Sequence, residues 1–464
     1  MHFIIVDLPT HTHHFSLRKK QLITRSTSTN GRLLTRIHNK WYDLSEFNHP
    51  GGPIALGLAR GRDATALFES HHYFIPRKKL LQVLTRYEVS PKEAAVLNTL
   101  DNQDDDSPFD WTDIDNDGFA SDLHQLVVDH FSEFAKHNET ISISEASKAT
   151  TKRWIVIWSF IGLFFASLPA FVQGKWVFLL VTPLLAWLAI VTFWHDAMHF
   201  ALSTDWKVNA MLPYLLPLIS SPSMWYVQHN IGHHVYTNIG HKDPDLAHAP
   251  QLMREHESIK WRTSHLNQAR SANVLFVWSI AAGIGLNILN DVRATIKLSY
   301  NNVVPCERPS MLRLGAHIVG RILYIYCMHI WPFFHFPQWK AWIWAIVPNA
   351  LFSVCFMVNS QISHLNCSCA HASDTNFYKH QAATSQNFGH DSTFCYYFSG
   401  GLNYQIEHHL FPNINHCHLP ALSPGVKKIC EKHGVPYNYV SGYREALNGH
   451  FEHTASLASN PMSD

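Results

Sequence analysis

The sequence predicts a mainly α-helical integral membrane protein of about four spans, with a histidine-rich cap on one face and a soluble N-terminal part. Three observations predict it. Trp154–Val172 and Trp176–Trp194 each run 19 residues without a charge, close to the ~20 that a helix needs to cross a ~30 Å hydrocarbon core. Histidine reaches 34 copies against 36 for Lys and Arg together, and many of these histidines gather just beyond apolar runs. Residues 1–150, in contrast, are largely polar.

Taken in order, residues 1–30 read as a disordered tail. "MHFIIVDLPTHTHHF" has a short apolar run but lacks the architecture of a signal peptide. Asn102–Asp117 is dense in Asp and reads as a solvated linker. Leu123, Leu126, Val127, Phe131 and Phe134 then recur at helical spacing, which predicts an amphipathic helix lying on the rest of the protein or on the membrane surface. The linker and this helix fill 101–150. A net charge of +1 gives no overall basic signal, so no nucleic-acid partner is expected. The eight cysteines start at Cys306, show no zinc-type spacing, and read as free thiols in a reducing compartment.

Gln173-Gly174-Lys175 is a tight turn between the first two spans, and Lys152 and Arg153 place the N-terminal side in the cytosol. Three further apolar runs follow, Val274–Leu289, Ile322–Phe336 and Ala341–Val358. Three crossings would put the later histidines on the wrong face. The first of the three, with Gly283 and Gly285 inside it, is therefore expected to lie in the interface, and the other two to form a second hairpin. Met211–Ile219 is too short to span.

Three histidine clusters stand beyond these spans: "HDAMH" (His195, His199), "HNIGHH" (His229, His233, His234) and "QIEHH" (Gln405, His408, His409), with His364 six residues past the last run. Spacings of four put imidazoles on one helix face, with i+5 beside them. Eight imidazoles exceed the needs of one ion but suit two with four or five ligands each. All-nitrogen ligation points to iron, copper or zinc, and paired ions sit ~3.5–4 Å apart.

The three clusters, with "FSGGLNYQIEHHLFP" and "GHHVYTN" around them, resemble the histidine boxes of the membrane fatty acid desaturase superfamily from about Trp154 to Tyr443. The resemblance implies a desaturase domain over 151–445, a disordered tail over 446–464, and a diiron site facing the cytosol. His195, His199, His229, His233, His234, His408 and His409 are its ligands, with His364 and Gln405 as further ones. It also implies an acyl chain in a buried tunnel and O2 as co-substrate. Unactivated C–H bonds lie beyond acid–base side chains, so a redox metal must carry that step. Asp196, Glu407, Asp243 and Asp245 are available to orient imidazoles, and Asn359 and Gln361 to hold a water. His416 and His418 read as surface or structural.

Near the N-terminus, "WYDLSEFNHPGGP" (41–53) and then "DATALFESHH" resemble a cytochrome b5 domain, a small α+β haem-binding fold, here placed at 31–100. His49 matches one axial ligand of haem b. His71 and His72 are both available for the other, and His72 fits the offset from Phe68 better. The upstream segment departs from the family in having no Trp before Trp41. A fused one-electron carrier suits a reaction that takes two electrons, at high effective concentration and with a flexible linker that permits docking. NADH would reload it through an NADH–cytochrome b5 reductase.

The fused haem domain together with Gln in the third box resembles front-end desaturases. The expected reaction is insertion of a cis double bond into a long polyunsaturated acyl chain carried by a lipid or by CoA, in the endoplasmic reticulum membrane. Rival readings are a sphingoid long-chain-base desaturase, a lipid hydroxylase on the same scaffold and, from another class, a membrane metal-binding or transport protein. A transporter would need ionisable ligands at mid-membrane, whereas these clusters stand at span ends.

Overall fold

The computed structural model describes residues 31–100, 107–136, 142–216, 221–301, 303–307 and 309–461. The tail expected at 1–30 lies outside the described residues. Leu34–Ile37 (β1) and Lys40–Asp43 (β2) pair antiparallel through His38 and Asn39, both at positive φ, the geometry that matches hairpin twist. Short helices at Gly52–Ala59, Thr65–Glu69 and Arg77–Leu84 close over the hairpin around Leu33, Ile37, Tyr42, Leu44, Phe68 and Leu84. Trp41 Nε1 donates to Asn98 Oδ1 at 2.8 Å and ties down the next helix, Pro91–Leu100. This is the small α+β unit that the sequence predicts.

Among the described residues four helices are long and apolar enough to cross a membrane: Thr151–Val172 (α1), Trp176–Met198 (α2), Met311–Ile330 (α3) and Gln338–Gln361 (α4). They form two hairpins. Ile155, Leu163, Val177, Leu180, Val319, Ile322 and Ile346 all face outward, as a lipid-solvated surface requires. At the turn between α1 and α2, Lys340 Nζ donates to Gly174 O at 2.8 Å and lies over the rings of Trp176, Phe336 and Trp344. That aromatic cluster with its single cation has the composition of a membrane-interface belt.

The third span departs from the sequence reading, which placed it at 322–336. It begins instead at Met311, where Ser310 Oγ accepts from Arg313 N, and ends at Ile330 before Pro332. Arg313, His317 and Arg321 hid its first half from a search for apolar runs. His317 and Arg321 are buried, and His317 Nδ1 lies 3.8 Å from the carboxylate of Asp291. The run at 274–289 does not form a fifth candidate span; its apolar helix, Ser271–Gly283, is shorter. Val274, Trp278, Ala281 and Ala282 are buried, with Ser353 Oγ of α4 donating to Trp278 O and accepting from Ala282 N.

The helix Gly118–Lys136 buries Leu123, Val127 and Phe131 completely. It lies on the protein, against Leu419–His433. The linker is only partly as expected. Residues 101–106 lie outside the described residues, but Phe109 is buried edge-on against Phe377, and Asp110 N donates to Thr375 O at 2.8 Å.

The disordered tail expected from 446 is instead the helix Tyr443–Ser456. Its buried face is polar, which hydrophobic periodicity cannot reveal. His450 Nδ1 donates to Leu365 O at 2.8 Å, His453 Nε2 to Glu255 O at 3.0 Å, and Gln268 Nε2 to Thr454 O at 2.6 Å. His450→Ala removes one of these bonds and opens a void beside Trp278. The expected cost is about 2–4 kcal/mol, read as a lower melting temperature of the detergent-purified protein. An unchanged melting temperature would show that the helix does not hold the cap.

Candidate metal centre

The first two boxes sit on helices that widen. α2 passes through a five-residue wide turn at Ile190–Trp194 before His195, and a second wide turn spans Tyr226–His233. Wide π-turns are rare and recur at functional sites. The second one changes the register of its histidines. Ordinary α spacing would put His229 and His233 together. In the wide turn His229 and His234 come together as well, with Nε2 atoms 3.2 Å apart, while His233 stacks on His229 with ring centroids 5.4 Å apart and also meets His364 and His409.

Two groups result. His195, His199, His229, His234 and His408 form the larger, and His233, His364 and His409 the smaller; all eight residues are buried. The adjacent His408 and His409 point to different groups. The groups touch, since His234 and His409 stack with ring centroids 4.2 Å apart. Gln405 stands beside the smaller group, its Nε2 2.8 Å from His364 Nε2. Every residue that the sequence nominated for this site is therefore present, divided five against three plus an amide.

The donors fit cations. Within the larger group the Nε2 atoms of His195 and His229 lie 2.9 Å apart and those of His408 and His234 3.1 Å apart. Neighbouring nitrogens at right angles on an ion, each ~2.0–2.1 Å from it, are separated by about 3 Å. Both nitrogens of His199, Nε2 of His409 and Oε1 of Gln405 are buried without a hydrogen-bond partner, a costly state that a metal ion would relieve. Burial first, and neighbouring imidazoles second, hold His199, His229, His234, His408 and His409 well below the usual histidine range. All five are thus neutral, as ligation requires.

The outer nitrogens are tied. His364 Nδ1 donates to Thr384 O at 3.0 Å and His409 Nδ1 to Gln381 Oε1 at 2.9 Å. His233 Nδ1 donates to Asp243 Oδ2 at 3.1 Å. Burial opposes a charge on His233, but Asp243 and Asp245 outweigh it and raise its pKa. These bonds leave Nε2 of each ring to face inward.

His416 was read from sequence as surface or structural, but it is fully buried and belongs to this network. Its Nδ1 lies 3.0 Å from both Gly400 O and Asp196 Oδ1, and its Nε2 lies 3.1 Å from His408 Nδ1. If Nδ1 donates to the carbonyl, Nε2 must accept from His408, and Nε2 of His408 is left with its lone pair. His418 is buried too, donating to Lys148 O. Arg153 does more than flank a span. Its Nη2 donates to Thr192 O and Gly400 O, each at 3.0 Å, and to Asp196 Oδ2 at 3.1 Å.

Gly400 and Gly401, both at positive φ, are required here. A Cβ would meet the Val191 carbonyl oxygen at 2.4 Å in the first case and His416 Cβ at 2.7 Å in the second. Glu407 turns away from the imidazoles. It accepts from Asn387 and Tyr437, and burial pushes its pKa up to about 7. Asn359 is held by Tyr443, whose hydroxyl donates to Asn359 Oδ1 at 2.6 Å. Only the histidine character of His416 signalled it in the sequence, because its spacing from His408 marks no helix face.

In the N-terminal unit, the rings of His49 and His72 face each other with centroids 5.9 Å apart. Two metal–nitrogen bonds of ~2.0–2.1 Å plus half an imidazole at each end come to about 6 Å. His72 Nδ1 donates to Phe68 O at 2.8 Å, and Phe47, Leu56 and Ala59 supply apolar wall. His71 is turned elsewhere, its Nδ1 3.1 Å from Leu67 O. The residues present fit a haem between His49 and His72.

The Fatty acid desaturase family model matches residues 174–441, more than half of the chain. The chain belongs to the fatty acid desaturase family. This desaturase also matches the Cytochrome b5-like Heme/Steroid binding domain over residues 18–90, which starts upstream of the boundary read from sequence. It is thus a membrane oxidoreductase with a fused haem-binding module. It is 29% identical to an acyl-lipid omega-13 desaturase of Chlamydomonas reinhardtii, over 86% of this chain and 88% of that one. It is 27% identical to a probable Delta(5) fatty acid desaturase C of Dictyostelium discoideum, over 95% of each chain. An acyl-lipid (8-3)-desaturase of Mortierella alpina is 25% identical over 94% of this chain and 96% of that one. No solved structure matches the desaturase.

Two predictions follow from the outer contacts. Asp243→Asn weakens the hold on His233 and should lower metal affinity ~10–100-fold, read as iron retained against a competing chelator. His72→Ala should abolish the haem absorbance band, whereas His71→Ala should keep it. The reverse result would exchange their roles.

Proposed function

We propose that this desaturase inserts a cis double bond into a long polyunsaturated acyl chain, on the carboxyl side of an existing double bond, using O2 and electrons from its own haem module. The observation that carries the reading is the pair of buried imidazole groups at the floor of an apolar cleft. Trp187, Ile190, Trp225, Phe356 and Leu402 line the cleft, and His195, His229, His233 and Gln405 also reach it.

His195, His199, His229, His234 and His408 would hold one iron ion, and His233, His364, His409 and Gln405 a second. A diiron pair supplies the O2 activation needed to break two unactivated C–H bonds. The chain's own residues do the rest. The cleft aligns an alkyl segment over the imidazoles and excludes water. Asp243, Thr384, Gln381 and His416 fix the ligand rings. The sum is one O2, two substrate hydrogens, two electrons and two protons giving two waters and the alkene.

His49 and His72 would hold haem b, which carries one electron at a time, so it is reloaded twice per double bond. We assign the reloading to an NADH–cytochrome b5 reductase, and the location to the endoplasmic reticulum membrane with boxes and haem facing the cytosol. The names of the relatives count double bonds from both chain ends, so regiochemistry is what the test must read. In a yeast fed candidate polyunsaturated acids, mass-spectrometric location of double bonds should show a new one on the carboxyl side of those supplied. His409→Ala should abolish it and keep the haem absorbance. New unsaturation confined to sphingoid bases, or a hydroxylated product, would overturn the proposal.

A further inference from the structure

The two loops that carry the haem-binding histidines are the surfaces by which the N-terminal module sits on the cap. In the His49 loop, Gly52 is at positive φ and lies so close to Trp206 that a Cβ would meet the indole ring at 2.4 Å. Trp206 opens the short helix that follows the first box. In the other loop, His71 O accepts from Asn413 Nδ2 at 3.0 Å. Tyr73 packs edge-on against Phe411 with ring centroids 5.5 Å apart. Behind it, Glu69 O accepts from Tyr378 at 3.2 Å.

These contacts are buried. Tyr73 is 4% exposed and Phe411 not at all. Ile54 belongs to the hydrophobic core of the membrane domain, and Ala66 and Tyr73 to the core of the cap. A module that docked transiently from a flexible linker would present polar faces here, as separable interfaces do.

Resting on the reading that the haem module feeds the metal centre, we propose that this module is a fixed part of the enzyme. Electrons cross where Tyr73 meets Phe411 and where His71 meets Asn413. The chain distances are short on both sides. His71 and Tyr73 flank His72, and Phe411 follows His409 by two residues, with Phe411 N donating to Glu407 O at 2.9 Å. Electron tunnelling weakens steeply with distance and least along bonds and packed contacts. This route has one ring contact and one hydrogen bond between two continuous stretches of chain. Each crossing oxidises ferrous haem to ferric and reduces the metal pair by one electron, so two crossings serve one double bond. Tyr73 and Asn413 are positioning residues for this step.

The test follows the haem. The holoenzyme is reduced by NADH and a reductase, then mixed with O2 and an acyl substrate, and the return of the ferric absorbance is timed. Tyr73→Leu and Asn413→Ala should each slow reoxidation severalfold, with the haem reduction potential and the rate of reduction by the reductase unchanged. Tyr73→Phe keeps the ring and should restore the wild-type rate. A Gly-Ser insertion within 101–106 should leave the rate unchanged, because a docked donor does not depend on tether length. A fall with linker length is what a tethered search gives and would overturn the proposal. Independently of turnover, hydrogen exchange of the metal-free chain should show segments 65–75 and 405–418 protected together, with Asn413→Ala loosening both. If substrate fails to speed reoxidation in the wild type, the fused-donor reading itself falls. If substrate does speed it but Tyr73→Leu and Asn413→Ala match the wild type, only this route falls.

Discussion

A buried guanidinium joins the membrane domain to the metal centre. Arg153 enters on the first turn of α1, is 3% exposed, and donates from one nitrogen to the Thr192 carbonyl, the Asp196 carboxylate and the Gly400 carbonyl. Those three acceptors belong to the wide turn before the first box, to the box itself and to the glycine pair ahead of the third. A buried charge is tolerated when it is paired, and the Asp196 carboxylate at 3.1 Å is that partner. Asn415 Nδ2 donates to the same oxygen, Asp196 Oδ2, at 2.9 Å. Through His416 the same carboxylate reaches His408. One ion pair thereby fixes the spacing between two boxes separated by some two hundred residues, before any metal is considered.

That spacing matters because neutral imidazoles do not attract one another. Packed nitrogen to nitrogen, they are held in place by what surrounds them, and their outer contacts decide where each lone pair points. The helical wide turns serve the same end. At Tyr226–His233 the extra residue per turn sends His229 and His234 to one group and His233 to the other. A regular helix would have loaded one group and starved its neighbour. The backbone irregularity is thus the device by which one short motif contributes to two groups of imidazoles.

Much of this was legible in the sequence, for physical reasons. Charge-free runs of membrane length revealed α1, α2 and α4, and the nine nominated ligands stood out as three closely spaced clusters and one further histidine. What was hidden shares one property. The first half of α3 contains His317 and Arg321, buried against Asp291. The helix Tyr443–Ser456 buries His450 and His453 on backbone carbonyls. His416 is a histidine whose partner is another histidine. Periodicity reads only apolar burial, so elements that bury polar groups look like loops. The assignment of ligands to groups was also out of reach, because nothing in "HNIGHH" announces a wide turn.

The same polar burial orders the approach of substrate and electrons. The apolar cleft takes walls from Trp187 and Ile190 of α2 and Phe356 of α4. The haem-binding loops meet the cap elsewhere, at Trp206, Tyr378, Phe411 and Asn413. His408 and His409 stand between, on a six-residue helix whose every side chain is buried. The cleft and the N-terminal module therefore occupy separate faces of the histidine cluster. The helix Gln405–Leu410 mixes apolar and ligating residues because it faces both tasks at once. Ile406 and Leu410 pack into the cap core, while Gln405 and the two histidines turn to the metal groups. Gln405 is the one member of that set on the cleft wall. An amide there is a weaker donor than an imidazole, so Gln405 would hold an ion less tightly than the histidines beside it.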